Sequence, residues 1–315
     1  MKCKRCRGRA EVQLRHHNCA FCRTCFVFYF QRQVQRAIEK EHMFTPEEQI
    51  LVAVSGGKDS LALWDVLLGL GYRTTGMHLA LGIGNYSHVS TQKTEAFAAS
   101  RGLQLISVRL EDEGLAIPQL RAFTNRPACA ACGTAKRHYF DRVAIEHGFP
   151  VLATGHNLDD EAARLMGNVL RWQVNYLAKQ TPVLHATHER FVRKVKPLFR
   201  ISEYETAVYA FFRGIDYIVE ECPNSVGASQ LVFKEALNQL EAAMPGTKLS
   251  FVQEFLRVGR QRFDEDTGSP QTCERCGMPA YGSRCSFCSM VNEVETKRAR
   301  RAQSVATSGR RSNAS

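Results

Sequence analysis

Residues 51–60 read Leu51-Val-Ala-Val-Ser-Gly-Gly-Lys-Asp-Ser60: an apolar run, a Gly-Gly turn, and then a helix-like stretch that continues LALWDVLL. Glycines let the backbone turn tightly and approach a ligand, and a helix N-terminus offers unpaired N–H groups and partial positive charge. The combination is an anion cradle suited to phosphates, in which Lys58 neutralises phosphate charge and Asp59 can hold Mg²⁺. It is not a Walker A loop. The four-residue spacing between glycines is missing, and Asp59 stands where Ser or Thr would follow the lysine. The bland alternative is a surface turn with an ordinary Asp/Ser helix cap.

Outward from this loop, strand-like and helix-like segments alternate. Strands are expected at 50–54, 73–81, 103–110 and 151–154, and helices at 61–70, 89–100, 133–147 and 158–170. This βαβ pattern predicts an α/β fold: a Rossmann-like parallel sheet with right-handed crossovers, helices on both faces and its ligand site at the carboxyl ends of the strands. Further helices are expected over 202–213, 229–243 and 248–263. The stretch DEDTGSP (264–270) reads as a linker and the last 20 residues as a disordered low-complexity tail.

The 315 residues carry 42 Lys+Arg against 31 Asp+Glu, a net +11. The excess sits at the ends: residues 1–45 sum to +7, residues 296–315 to +6, and the 250 between them to −2. A near-neutral body with basic ends suits a catalytic unit flanked by modules that grip a polyanion. Lys2, Lys4, Arg5, Arg7, Arg9 and Arg23 cluster near the N-terminus, and Arg190, Arg193, Lys194, Lys196 and Arg200 form a second basic stretch on an expected strand. No apolar run reaches the roughly 18 residues of a membrane span, and no apolar h-region follows the N-terminal charges. A cytoplasmic protein is expected, in which the 12 cysteines serve as metal ligands or reactive thiols rather than disulfides.

The cysteines form three groups. Cys273-x₂-Cys276-x₈-Cys285-x₂-Cys288 is a pair of CxxC knuckles suited to tetrahedral zinc. Cys3, Cys6, Cys22 and Cys25 follow the same logic, although Cys19 also makes a CxxC with Cys22 and leaves that pairing open. Between these groups, Cys129-Ala-Ala-Cys132 stands before an expected helix, where thiol pKa values fall; by itself it allows a redox disulfide, a persulfide carrier or half a metal site. Cys222 lies in ECPNS. Thr154-Gly-His-Asn-Leu-Asp-Asp-Glu-Ala162 follows a strand and opens a helix, so Asp159, Asp160 and Glu161 either complement the helix dipole or bind Mg²⁺ and act as general base.

SGGKDS resembles the PP-loop of the N-type ATP pyrophosphatases, which cleave ATP between the α and β phosphates. CAACGTAKR, ECPNS and TGHNLDDEA together resemble the TtuA branch of the TtcA/TtuA family, the tRNA 2-thiouridine synthetases. The resemblance extends over residues 1 to about 290. It implies ATP contacts at Ala53, Ser55, Gly56, Gly57, Lys58, Asp59, Ser60, Leu79, Lys136 and Gly155, with Gly82-Ile-Gly84 wrapping the adenosine. It implies catalytic roles for Asp160, Lys58 and Asp59, and a [4Fe-4S] cluster on Cys129, Cys132 and Cys222 with one iron open to sulfide. The N-terminal zinc site then uses Cys22 and Cys25, because the family places its second knuckle there, and Cys19 is spare.

The resemblance also implies tRNA as substrate, a ubiquitin-like sulfur-carrier protein as donor, and a homodimer. The domains expected are an N-terminal zinc finger (1–30), a connecting helix (31–48), the ATP pyrophosphatase domain (49–268), a C-terminal zinc finger (269–292) and the basic tail (293–315). Two zinc ions lower the formal charge to roughly +7, since each Zn(Cys)₄ site carries about −2. The alternatives are tRNA cytidine 2-thiolation, as in the TtcA branch, and a non-catalytic ATP-sensing zinc-ribbon RNA-binding protein.

Overall fold

A computed structural model describes residues 1–263 and 270–312. The chain opens with a hairpin, β1 (Val12–Leu14) and β2 (Cys19–Phe21), and the helix α1 (Arg23–Lys40). The body follows as β3 (Gln49–Ala53), α2 (Lys58–Gly69), β4 (Arg73–Ala80), α3 (Gly84–Ser100), β5 (Leu105–Arg109), α4 (Ile117–Phe123), α5 (Ala128–Glu146), β6 (Val151–Thr154) and α6 (Leu158–Leu170). Then come α7 (Val174–Ala178), β7 (Val183–Leu184), β8 (Arg193–Val195), α8 (Glu203–Arg213), α9 (Ser229–Ala243) and α10 (Thr247–Glu254). A second hairpin, β9 (Gln271–Thr272) and β10 (Pro279–Ala280), leads into α11 (Ser286–Ser312).

The six-stranded sheet has the order β5-β4-β3-β6-β8-β7, parallel except for β7 at the edge. From β3 the chain builds outward to β4 and β5, then returns to place β6 on the other side of β3. The strand order therefore reverses between β3 and β6, and at such a switch point the two carboxyl ends open a crevice for ligands. Along β3 the apolar run is buried on both sheet faces, as parallel strands require. Ile50, Val52 and Val54 join the core under α1, α2 and α8, whereas Leu51 and Ala53 join the core under α4, α5 and α11. The N-terminal cysteine module thus packs with the first layer and the C-terminal module with the second. A third cluster joins α6, α7, α9 and α10.

Several boundaries differ from expectation for local reasons. The connecting helix starts at Arg23, so Cys25 lies inside it and Cys22 is its N-cap. Pro127 occupies the N-cap of α5 with φ −54°, so the helix begins at Ala128 and takes Cys129 and Cys132 into its first two turns rather than following them. The helix expected over 248–263 is regular only to Glu254. A widened turn at Phe255–Gly259 and a tight one at Arg260–Arg262 replace the rest, where Gly259 weakens helix propagation. Of the basic stretch 190–200, only Arg193–Val195 is strand.

The tail expected to be disordered is helical to Ser312 as part of α11. Its Ala, Arg, Lys and Gln residues are good helix formers, Lys297 pairs with Glu293 one turn back at 2.7 Å, and Arg298 donates to the Gly114 carbonyl at 3.0 Å. The linker stretch 264–269 and residues 313–315 lie outside the described residues.

Asp65 ties α2 to the C-terminal half of α8. Its carboxylate, 3% exposed, accepts from Tyr209 Oη and Arg213 Nε, both at 2.8 Å, and from Arg101 Nε at 3.3 Å. Asp65→Ala is expected to cost about 2–3 kcal/mol in urea denaturation. That is below the penalty for breaking a fully buried pair, because both arginines reach solvent; a loss under about 0.5 kcal/mol would show the network to be ornamental.

Candidate active site and cysteine centres

The loop after β3 is held open by its own hydroxyls. Ser55 N donates to Ser60 Oγ at 3.1 Å, Ser60 Oγ donates to the Gly57 carbonyl at 3.0 Å, and Ser90 Oγ donates to the Ser55 carbonyl at 2.6 Å. Gly56 has φ +74°, and a Cβ there would lie 2.5 Å from the Ser90 carbonyl oxygen, so only glycine fits. Gly57 is the N-cap of α2, which aims the first N–H groups of that helix at the crevice.

The turn after β6 packs directly against this helix end. A Cβ on Gly155 would lie 2.9 Å from both Asp59 C and Ser60 N, so the two motifs meet backbone to backbone. Asn157 closes the contact. Its Nδ2 donates to Asp59 Oδ1 at 3.0 Å, while its Oδ1 accepts from Asp160 N at 3.0 Å in a capping box that also uses Asp160 Oδ2.

Four ion pairs among five charged groups bridge the crevice. Lys58 Nζ contacts Asp59 Oδ2 at 3.0 Å and Glu203 Oε1 at 2.6 Å, and Lys234 Nζ contacts Asp160 Oδ1 at 2.7 Å and Glu203 Oε2 at 3.2 Å. Burial opposes the charge on Lys58, yet Asp59 and Glu203 outweigh it and raise its pKa. Burial likewise opposes ionisation of Asp160, but Lys234 prevails and holds the carboxyl below its usual range. For Asp59 burial wins, and its pKa is raised despite Lys58 and Asn157. His156 is neutral: burial, with Arg164 and Lys196, brings it down to about 4, and its Nδ1 sits 2.8 Å from Thr154 Oγ1.

The sequence reading missed Asn157, Glu203 and Lys234. Asn157 lies inside a quoted motif and has the N-cap spacing to Asp160. Glu203 and Lys234 belong to helices with no motif, and only the fold brings them to the loop. Ala53 ends β3 and Leu79 is buried near the end of β4, both at the carboxyl edge of the sheet.

On the same edge lie the central cysteines. Cys129 Sγ donates to the Asn224 carbonyl at 3.2 Å, two residues beyond Cys222, whose own carbonyl closes a turn with Ser225. Burial raises the Cys132 thiol, Lys136 pulls it down, and Cys222 and Cys129 push it up, so the three sulfurs share one field. The Lys136 charge also bears on His78, which burial keeps neutral. Lys136 thus bears on both His78 at β4 and Cys132. A cavity of about 680 Å³ opens beside the cysteines, lined by Tyr86, Arg121 and Asn224 among others.

The outer cysteines converge as Cys3, Cys6, Cys22 and Cys25, and as Cys273, Cys276, Cys285 and Cys288, with all four sulfurs of each set within 4.8 Å of one another. Cys19 stays outside. The Cys6–Cys22 and Cys276–Cys285 sulfurs are each 3.7 Å apart. That is far beyond a disulfide and matches the edge of about 3.8 Å of a tetrahedron with metal–sulfur bonds of about 2.3 Å. Burial opposes ionisation of Cys3, but the N–H groups of Cys6, Cys22 and Arg5 bring it down to about 6. Burial and the adjacent thiols push Cys25 up to about 12. Four crowded thiols cannot all ionise alone, and a bound cation removes that conflict.

Cys129, Cys132 and Cys222 gather three thiols at one place, a donor set suited to an iron–sulfur cluster. Among the described residues, no helix is long and apolar enough to cross a membrane.

Residues 28–227 match the PP-loop domain family. A tRNA-5-methyluridine(54) 2-sulfurtransferase of Thermus thermophilus is 48% identical over 296 residues, covering 93% of this chain and 92% of the relative. The enzyme of the same name from Pyrococcus horikoshii is 41% identical, covering 91% and 93%. Among solved structures, the U34-tRNA thiolase NcsA of Methanococcus maripaludis, described with its [4Fe-4S] cluster, superposes with a TM-score of 0.80 at 26% identity, covering 92% of this chain and 95% of that one. With a nucleotide loop, a paired acidic turn and three cysteine centres arranged on one PP-loop fold, this chain belongs to the tRNA 2-thiolation enzymes of the TtcA/TtuA family.

Proposed function

We propose that the chain is an ATP-dependent tRNA-uridine 2-sulfurtransferase acting on 5-methyluridine 54, the substrate named for the relatives at 48% and 41% identity. The observation that carries this reading is the phosphate cradle after β3 and the three-cysteine centre at the start of α5, both at the carboxyl edge of the sheet. The uridine C2 oxygen attacks the α-phosphorus of ATP; the new O–P bond forms as the α–β bridge breaks and pyrophosphate leaves. A sulfur nucleophile then attacks C2, and AMP departs with the original oxygen. Adenylation is needed because a carbonyl oxygen is a poor leaving group and AMP is a good one.

The Ser55–Ser60 loop and the N-terminus of α2 hold the phosphates. Lys58 exchanges Glu203 for phosphate oxygen and stabilises the charge that develops there. Asp59 and Asp160 offer carboxylates to Mg²⁺. Asp160, ionised beside Lys234, is better suited to holding a cation than to taking a proton at neutral pH. The cavity at Tyr86 and Arg121 gives the uridine room beside the cysteines. Cys129, Cys132 and Cys222 would hold the [4Fe-4S] cluster, which supplies an iron with an open position for a sulfur ligand.

Zinc fills the two outer four-cysteine sites in this reading. A thiocarboxylated ubiquitin-like carrier as sulfur source follows the family resemblance. A homodimer is supported by the exposed Leu170, Trp172, Val174 and Tyr176. A cytoplasmic location accords with relatives called cytoplasmic tRNA 2-thiolation proteins.

Mass spectrometry of tRNA nucleosides from a deletion strain tests the whole assignment, with loss of 2-thiolated 5-methyluridine at position 54 expected; loss of 2-thiocytidine or of a thiolated wobble uridine instead would redirect it. Lys58→Ala should slow tRNA-dependent pyrophosphate release about 100-fold or more, and unchanged release would remove the lysine from the adenylation step. Cys129→Ser should abolish thiolation and the visible absorbance of the cluster while ATP still binds. An active, cluster-free Cys129→Ser enzyme would refute the cysteine centre. Elemental analysis of anaerobically purified protein should give about two zinc per chain in addition to the cluster iron.

A further inference from the structure

Farther along α5 is a second cavity of about 550 Å³, where the C-terminal cysteine module packs against α5 and the β7–β8 hairpin. Its size falls in the ordinary range of small-molecule pockets, roughly 300–1,000 Å³. Four cations line it, Arg137, Lys179, Lys194 and Arg284, interleaved with the rings of Phe191 and Tyr281. Lys179 Nζ is 5.7 Å from the Tyr281 ring centre and Lys194 Nζ 5.1 Å from that of Phe191. Tyr281 is 64% exposed, so one face of its ring is available. Alternating cations and aromatic faces suit a nucleotide, whose base stacks while its phosphate is neutralised.

One of these cations is fixed in place. Asp141, 4% exposed, accepts on Oδ2 from Lys194 Nζ at 2.7 Å and holds that lysine at the cavity wall. Burial pushes the Asp141 carboxyl up, while Lys194, the Val192 N–H and Arg137 pull against that.

We propose that this cavity binds one unstacked nucleotide of the tRNA, its base against Tyr281 and Phe191 and its phosphate among the surrounding cations. The inference rests on the tRNA-thiolation reading and adds a second recognition point to it. Cys132 and Asp141 lie on the same helix, nine residues or roughly 14 Å apart along its axis, so a single RNA can engage both. At that separation the pocket is distinct from the site that receives the reacting base.

The test uses full-length, metal-loaded protein with the PP-loop saturated by an ATP analogue whose α–β linkage cannot be cleaved, titrated with tRNA and with CMP, AMP, GMP and UMP. Tyr281→Ala should weaken tRNA binding roughly 5- to 100-fold. In turnover it should raise the KM for tRNA while kcat at saturating tRNA stays unchanged, and Tyr281→Phe should restore binding. The monophosphates should bind the wild-type protein and compete with tRNA. Unchanged tRNA affinity in both Tyr281→Ala and Tyr281→Ala/Lys179→Ala overturns the proposal. So does nucleotide binding that is lost in Tyr281→Ala yet never competes with tRNA, which would assign the pocket to a free nucleotide. If the wild-type protein binds tRNA through Tyr281 without thiolating it, the thiolation reading falls and the pocket stands.

Discussion

The site depends on one close approach. Where the sheet order reverses, the turn after β6 lies against the first turn of α2 with no side chain between them, because position 155 is glycine and any Cβ there would collide with the Asp59 carbonyl carbon and the Ser60 nitrogen. That contact lets Asn157 bridge to Asp59 and sets Asp160 across the crevice from Lys58. Two segments nearly 100 residues apart thereby become one phosphate site, and each of them remains an ordinary capped helix start when taken alone.

Charge then organises the crevice. Lys58 on α2 and Lys234 on α9 share Glu203 on α8, so the charges run as a chain of ion pairs from Asp59 to Asp160 rather than as separate exposed groups. Asn157 links the two ends of that chain. The Asp65 network stands behind this arrangement, since it fixes the helix whose first residue is Glu203.

The helix α5 joins the chemistry to the periphery. Its first two turns carry two of the central cysteines, its third carries Lys136, and its later turns face the C-terminal module, where His138 stacks on Phe287 at 4.1 Å. The N-terminal module is held on the opposite face of the sheet, with Tyr29 Oη donating to Glu205 at 2.8 Å and Phe30 stacked on Tyr209 at 4.1 Å. The two basic, metal-suited ends thus flank the body from both faces.

Much of this was readable along the chain. The βαβ alternation, the SGGKDS cradle, the acidic turn at 158–161 and the knuckle spacings are local patterns, in which dihedral preference, dipole and ligand geometry act within a few residues. Cys19 against Cys25 was not resolvable that way, because both offer a CxxC with Cys22; packing of the β1–β2 hairpin on α1 placed Cys25 with the other three sulfurs and left Cys19 buried outside. The tail was misread because its composition is shared by solvated helices and disordered chains, and the Arg298 contact to Gly114 is long-range. Local order therefore carried the identity of each reactive group. The partners Glu203 and Lys234 at the cradle and Asp141 at Lys194 came only from tertiary packing, because electrostatic pairing acts through space between residues that no sequence spacing relates.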